Sequence, residues 1–407
     1  MGLWLLPVQH GGSTVTVSAQ SAHSTRDLRL DFFRGLALLF IFIDHVPGNS
    51  LSYWTLHAFG VADAAEVFVL IAGYAAFSAY AATYEREGFL GGTRRVMSRV
   101  RDVYAAHLLL LVTCTAGLAL AARWFENPLY FEHVNLTPMS YDPWTAIWRA
   151  VGMFYQPGYL DILPLYVVLL AWFPVLFWLL QKSPAGALGL SVLLWIGARF
   201  GLNLPSWPET IGWFFNPFAW QLLFAIGALA ALRYRQGGSL PRSKLLAVAA
   251  AVYVAFVFIV AAPWIHIPGL ELPRLVPIDW IPTISKTNLS AWRLGQILAL
   301  AYLVALFVPA SASWLTSGWA KLVTNCGKNS LDIFCLGTVL SLIGFMVMLE
   351  GGRSWPYQVL ANGAGIGSMV GVAWFLTRRK SAQRAAGAST STDVARQASR
   401  ARGEEAV

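Results

Sequence analysis

The sequence predicts an all-α fold: a polytopic integral membrane bundle of about ten transmembrane helices with both termini on the inner side (N-in, C-in). Three observations predict it. The 407 residues are 57% hydrophobic and only 12% charged, about half the ~25% of an ordinary soluble domain. That shortage extends over most of the chain, which excludes a soluble enzyme carried on one anchor helix. Ten apolar runs approach the roughly 20 residues needed to cross a bilayer. Threading those runs through a membrane collects most of the 29 Lys and Arg residues on one face, as positive-inside topology requires. The net charge of +9 thus reports orientation and calls for no nucleic-acid partner.

In order along the chain, residues 1–25 are rich in Ser, Thr and Gln after a short apolar start, Leu3–Val8, with no Lys or Arg ahead of it. This does not make a signal peptide, and a disordered tail is expected. The membrane domain is expected over 26–377, with spans near 31–46, 64–84, 102–122, 161–181, 186–202, 212–232, 245–264, 291–310, 330–349 and 356–377. The inner loops carry the basic groups Arg26 to Arg34, Arg86 to Arg101, Lys182, Arg233 to Lys244, and Lys321 with Lys328. From 378 to 407 the chain is a low-complexity Ala/Ser/Arg segment, expected to be a disordered basic cytoplasmic tail. Two long outer loops, about 123–160 and 265–290, are rich in Trp, Tyr, Pro and Asn. Such residues suit sugar stacking and hydrogen bonding, and equally the aromatic belts of a membrane protein. Cys114, Cys326 and Cys335 form no CxxC pair and no metal-spaced cluster, and read as small core residues.

The first span holds the most informative residues: Asp31, Arg34, Asp44 and His45, followed by Pro47-Gly48. Eleven residues separate Arg34 from His45, which on a helix returns to within roughly 20° of the same face about 16 Å further along. They are the two ends of one polar stripe, with Asp31 one turn from Arg34 and able to pair with it. Pro47-Gly48 ends the helix soon after His45. Ionisable residues at membrane depth are costly and point to function, and His is the side chain best placed to exchange a proton near neutral pH.

These residues resemble the OpgC-type family of bacterial membrane succinyltransferases, within the broader acyltransferase-3 superfamily, whose hallmark is an Arg, ten residues and a His on the first helix. Glu66-Val-Phe-Val-Leu-Ile-Ala-Gly73-Tyr74, Tyr159-Leu-Asp161-Ile-Leu-Pro164-Leu-Tyr166, Asn216-Pro-Phe-Ala-Trp220-Gln221 and Gly327-Lys-Asn-Ser330-Leu-Asp332 fit the same resemblance. It covers roughly residues 26–377. It implies a multi-pass enzyme of the bacterial inner membrane that moves an acyl group, succinyl for OpgC-type members, from cytoplasmic acyl-CoA to a hydroxyl of periplasmic glucan. The acyl-CoA is a donor substrate, no cofactor or metal is permanently bound, and a glucan synthase is a natural partner.

The reaction needs three sites, and the sequence offers candidates for each. At the inner end, Arg34, Arg95, Arg99 and Arg101 could take coenzyme phosphates through charge-assisted bonds, although Arg101-Asp-Val-Tyr104-Ala departs from the Arg-Ile-Tyr-Pro of the broader pattern. At the centre, His45 would take the proton of the attacking hydroxyl, with Asp44, Glu66 or Asp161 as the carboxylate fixing its tautomer. Asp44 points about 100° away on a regular helix. Glu66 and Asp161 could instead cap helix starts. An acyl-histidine relay competes with direct transfer. At the outer end, Asn49, Tyr53, Trp54, Tyr155, Gln156, Tyr159, Asn216, Trp220 and Gln221 are candidates for the acceptor, and Arg149, Arg199 or Arg293 for a succinyl carboxylate. The alternatives are acetyl transfer to another exported polysaccharide and a glycan or acyl-donor transporter. Against the latter, the Arg-x10-His stripe occurs once and no half-length repeat is visible.

Overall fold

The computed structural model describes residues 27–208, 210–266, 272–277 and 284–404, with side chains through Gln383 and at Ala386. The expected N-terminal tail lies outside the described residues, as do parts of the 265–290 loop. Thirteen α-helices joined by short 3₁₀ turns make up the described chain, with no strand among the described residues. Six helices there are long and apolar enough to cross a membrane, starting at Ala64, Ile162, Pro217, Lys244, Ser330 and Trp355, and Pro184–Phe200 and Ala291–Phe307 are shorter apolar segments.

Helix α1 (Leu28–Asp44) starts at Asp27, whose side chain accepts from Arg29 N, and ends at His45. Helix α2 (Ala64–Phe125) merges the second and third expected spans. The basic stretch between them lacks proline and is built of residues that tolerate helix, so helix persists on both sides of a single break. That break is Gly88, at φ 70° and ψ −176°, a conformation open to glycine alone. The chain folds back there: the Tyr84 ring packs onto Gly92, and Tyr80 and Arg99 face one cavity.

The 123–160 loop contains three short helices, α3 (Leu129–Glu132), α4 (Thr137–Tyr141) and α5 (Pro143–Val151). Helices α6 (Ile162–Lys182), α7 (Pro184–Gly197) and α8 (Pro217–Arg235) follow. The last begins later than the hydropathy implies, because Asn216 accepts from Phe218 N and Pro217 fills the first helical position. Next come α9 (Lys244–Ala261), α10 (Ala291–Phe307), α11 (Gly318–Lys328), α12 (Ser330–Glu350) and α13 (Trp355–Glu404), whose backbone stays helical past Arg378. Helix α11 is an amphipathic element within what hydropathy reads as a loop.

Small residues set the closest helix crossings, as in many membrane bundles. A Cβ on Gly35 would strike Val323 O and one on Gly327 would strike Asp31 O, so α1 and α11 touch backbone to backbone; Gly73 and Gly227 do the same for α2 and α8. Helices α1 and α2 also pack against one another, and α6 and α12 add residues to the walls of two cavities.

Candidate functional site

The two cavities lie at the two ends of the α1 stripe. The smaller, about 170 Å³, is lined by Arg34, Arg99, Tyr80, Tyr166 and Ser330, and by Ala72, Ala75, Ala76 and Ala79, one small-residue face of α2. The larger, about 280 Å³, is lined by Asp44, His45, His57, Asp63, Tyr159, Asp161, Lys286, Thr338 and Ser341 among apolar side chains. Phe334 lines both, and Phe68 stands 6.3 Å from it, ring to ring.

In the smaller cavity Arg34 is 3.9 Å from Asp31 and is 11% exposed; it also donates to Ile71 O at 3.3 Å. The pairing of Asp31 with Arg34 matches the i,i+3 spacing. Arg99, on α2, lines the same cavity as Arg34, whereas Arg95 is not among its lining residues. Arg101 is turned to the surface, beside Asp102 at 3.7 Å and 77% exposed.

In the larger cavity His45 sits where α1 stops. Its Nδ1 lies 2.6 Å from Ile41 O. A carbonyl only accepts, so Nδ1 carries the proton and Nε2 offers its lone pair. The tautomer is thus fixed by the last turn of α1 and not by the carboxylate that the sequence led us to expect. Asp44 accepts from Thr55 Oγ1 at 2.5 Å, and Asp161 lines the same cavity at the start of α6. Tyr159 has φ +70°, in the left-handed region that a bulky residue rarely adopts. There its ring meets His45 edge-on at 4.6 Å and its hydroxyl lies 2.6 Å from His133 Nε2.

Glu66 does not line the cavity. It is fully buried, accepting from Arg293 Nε at 2.5 Å and from Asp63 N in a capping box. Asp63 joins this group to the cavity: its Oδ2 takes Lys286 Nζ at 2.7 Å and Arg293 Nη2 at 2.9 Å. Burial pushes the Asp63 carboxyl up, but the two cations outweigh it and hold the group well below the usual carboxylate range. Burial lowers His57, which faces the same space.

Several expected acceptor contacts are structural. Asn49 is buried, donating to Ile43 O at 3.1 Å and Asn362 Oδ1 at 2.8 Å. Asn216 donates to Leu202 O and Asn288 Oδ1, Trp220 is fully buried with Nε1 on Lys286 O at 3.1 Å, and Gln221 donates to Ser191 O at 2.7 Å. Tyr155 and Gln156 bond to the backbone at Asn135 and Met153. Tyr53, partly exposed, stacks on His266 at 4.7 Å, and Trp54 is exposed. Arg149, Arg199 and Arg293 do not line the cavity: Arg149 lies over Phe154, Arg199 over Trp195, and Arg293 in the ion pairs above.

His57, Asp63, Lys286, Thr338 and Ser341 are cavity residues that sequence reasoning missed; Lys286 is the one lysine or arginine among them, and only the fold brings its loop to α2. The one advance signal was Asp63-x-x-Glu66, a capping box with more acid than a cap needs.

A multi-pass membrane protein, all-helical over the described residues, with a cavity that carries ionisable side chains inside the bundle is the class defined by these features. Within that class the chain belongs to the family described as OpgC protein, whose model matches residues 26–381. Membership points to a membrane acyltransferase of the glucan-modifying kind. No curated protein and no solved structure matches the chain.

Proposed function

We propose that this protein is an O-acyltransferase of the bacterial inner membrane that moves a succinyl group from cytoplasmic acyl-CoA to hydroxyls of a periplasmic glucan. On this reading the chain crosses the membrane about ten times with both ends inside. The Arg34 cavity then opens toward the cytoplasm and the His45 cavity toward the periplasm.

The observation that carries the reading is the fixed tautomer of His45 in a cavity lined by ionisable side chains, on the same helix as Arg34. Arg34, with Arg99 lining the same cavity, holds the phosphate-bearing donor through charge-assisted bonds. Nε2 of His45 accepts the proton of an acceptor hydroxyl as its oxygen attacks the thioester carbonyl carbon. The C–O bond forms, the C–S bond breaks, and the imidazolium returns its proton to the departing thiolate, so the enzyme ends as it began. Asp44 and Asp161, on the walls of the chamber, favour the transient imidazolium. Tyr159, against the ring, limits its rotation. Arg101 faces away from this site and is left out of it.

The test is mass spectrometry of periplasmic glucans from cells with and without the protein. Succinyl substituents that vanish with the gene support the reading. An identical substitution pattern in both strains overturns the assigned substrate.

A further inference from the structure

Among the described residues that line the larger cavity, Lys286 is the one lysine or arginine. Its placement is built. The Lys286–Leu289 turn is closed by Leu289 N on Lys286 O at 3.1 Å, and two other segments, the end of α7 and the start of α8, hold its carbonyl groups. Trp220 Nε1 donates to Lys286 O, Asn216 N to Thr287 O at 3.2 Å, and Trp195 Nε1 and Arg199 Nη2 to Leu289 O at 2.9 and 3.0 Å. The side chain leaves this turn past the Phe215 ring, 5.5 Å from Nζ, and reaches Asp63.

Asp63 does not depend on it. The same Oδ2 also takes Arg293, and Oδ1 accepts from Ala65 N at 2.9 Å. An ammonium carries three N–H donors, of which Asp63 takes one. Lys286 therefore holds donors for a second anion while Arg293 keeps Asp63 compensated. Its charge is felt at His45, Asp44, His57 and Asp161, which face the same space.

We propose that Lys286 binds the free carboxylate of a dicarboxylic acyl group and so selects such a donor over a neutral one of equal length. The inference rests on the acyl-transfer reading above. A neutral acyl chain or a sugar hydroxyl needs no ammonium, whereas Lys286, 29% exposed at the cavity wall, keeps N–H donors beyond the one that Asp63 takes. A dianionic phosphate would face Asp44, Asp63 and Asp161 across a cavity of about 280 Å³. A single small carboxylate matches both the charge and the space. Lys286 makes no covalent bond in this role; it fixes the distal end of the group whose carbonyl meets His45.

The experiment compares succinyl-CoA with butanoyl-CoA, a four-carbon donor lacking the carboxylate, using purified protein in nanodiscs and a linear glucan oligosaccharide as acceptor. Lys286→Met should lower the succinyl-to-butanoyl ratio of kcat/KM by roughly 100-fold, as expected when a polar recognition contact is removed. Lys286→Arg should keep the ratio within about fivefold of wild type, since it preserves the charge. The double variant Asp63→Asn, Lys286→Met, which restores the local charge balance, should show the same shift as Lys286→Met and guards against mere misfolding. If both donors fall equally in both Met variants, Lys286 is only a counterion of Asp63 and the inference fails while acyl transfer stands. If the wild-type protein transfers neither donor, the acyl-transfer reading fails and takes the inference with it.

Discussion

At the Arg34 end of α1 the cavity is faced by four alanines of α2 and by two guanidinium groups, whereas at the His45 end nearly every polar side chain is tied to a named partner. Arg34 reaches Asp31 and a carbonyl at 3.9 and 3.3 Å; His45 is pinned at 2.6 Å, with Asp44, Asp63 and Tyr159 each held in turn. On the proposed acyl-transfer reading, the difference matches two tasks. A donor that must enter and leave suits a smooth wall with cationic anchors, while proton transfer requires a base held within hydrogen-bond tolerance of the reacting atom. Preorganisation is therefore concentrated at one end of a single helix.

The comparison can be broken at several points. The largest effect is expected from His45→Gln, which should lower kcat for transfer by about 10² to 10⁴ with the protein still folded, measured with labelled acyl-CoA. Arg293→Met leaves Glu66 and Asp63 without their shared cation. It should destabilise the protein by about 3–5 kcal/mol, as removing one partner of a buried pair does, visible as a lower Tm in detergent. Asn216→Ala should cost about 1–3 kcal/mol by stranding the Leu202 carbonyl and Asn288, and should loosen the Lys286 turn. Thr55→Val removes one hydrogen bond from Asp44 and should cost about 1 kcal/mol, with a smaller loss of rate than the His45 change.

A pH profile sharpens the same contrast. Asp63 is held below its ordinary value, so its stabilising contribution is complete above the unfolded pKa of about 3.9. That contribution is lost only as pH falls through the lower folded value. The Asp63 ion pairs thus persist between roughly pH 5 and 8, and His57, lowered by burial, stays neutral at pH 7. A fall in transfer rate on the acid side of that range should accordingly disappear from the residual activity of His45→Gln and remain in Lys286→Met.

The helical repeat made the stripe legible in the sequence, because Arg34, Asp31 and His45 lie on one helix and their relation needs only the geometry of one turn. The second helix pair was half legible: both apolar arms of α2 were visible, but the persistence of helix up to Gly88 was not, since it depends on a lone glycine and on Tyr84 closing over Gly92. The outer candidates misled for a different reason. Asn216, Trp220 and Gln221 have the composition of a sugar site, yet their donors are used by backbone carbonyl groups and by Asn288 Oδ1, which only the tertiary fold brings near. The tautomer partner of His45 was read as a carboxylate because sequence shows side chains, and the group that binds Nδ1 is a main-chain carbonyl. Lys286 and Asp63 meet across a long stretch of chain, a contact that no local pattern announces.

The division of labour along α1 is tested most directly by calorimetry of succinyl-CoA binding to the wild type, His45→Gln and Arg34→Ala, each in nanodiscs. Wild-type affinity for His45→Gln, with at least about tenfold weaker binding for Arg34→Ala, a typical loss for one charge-assisted contact, is the expected result. Undiminished affinity in Arg34→Ala, or a loss confined to His45→Gln, would contradict the account.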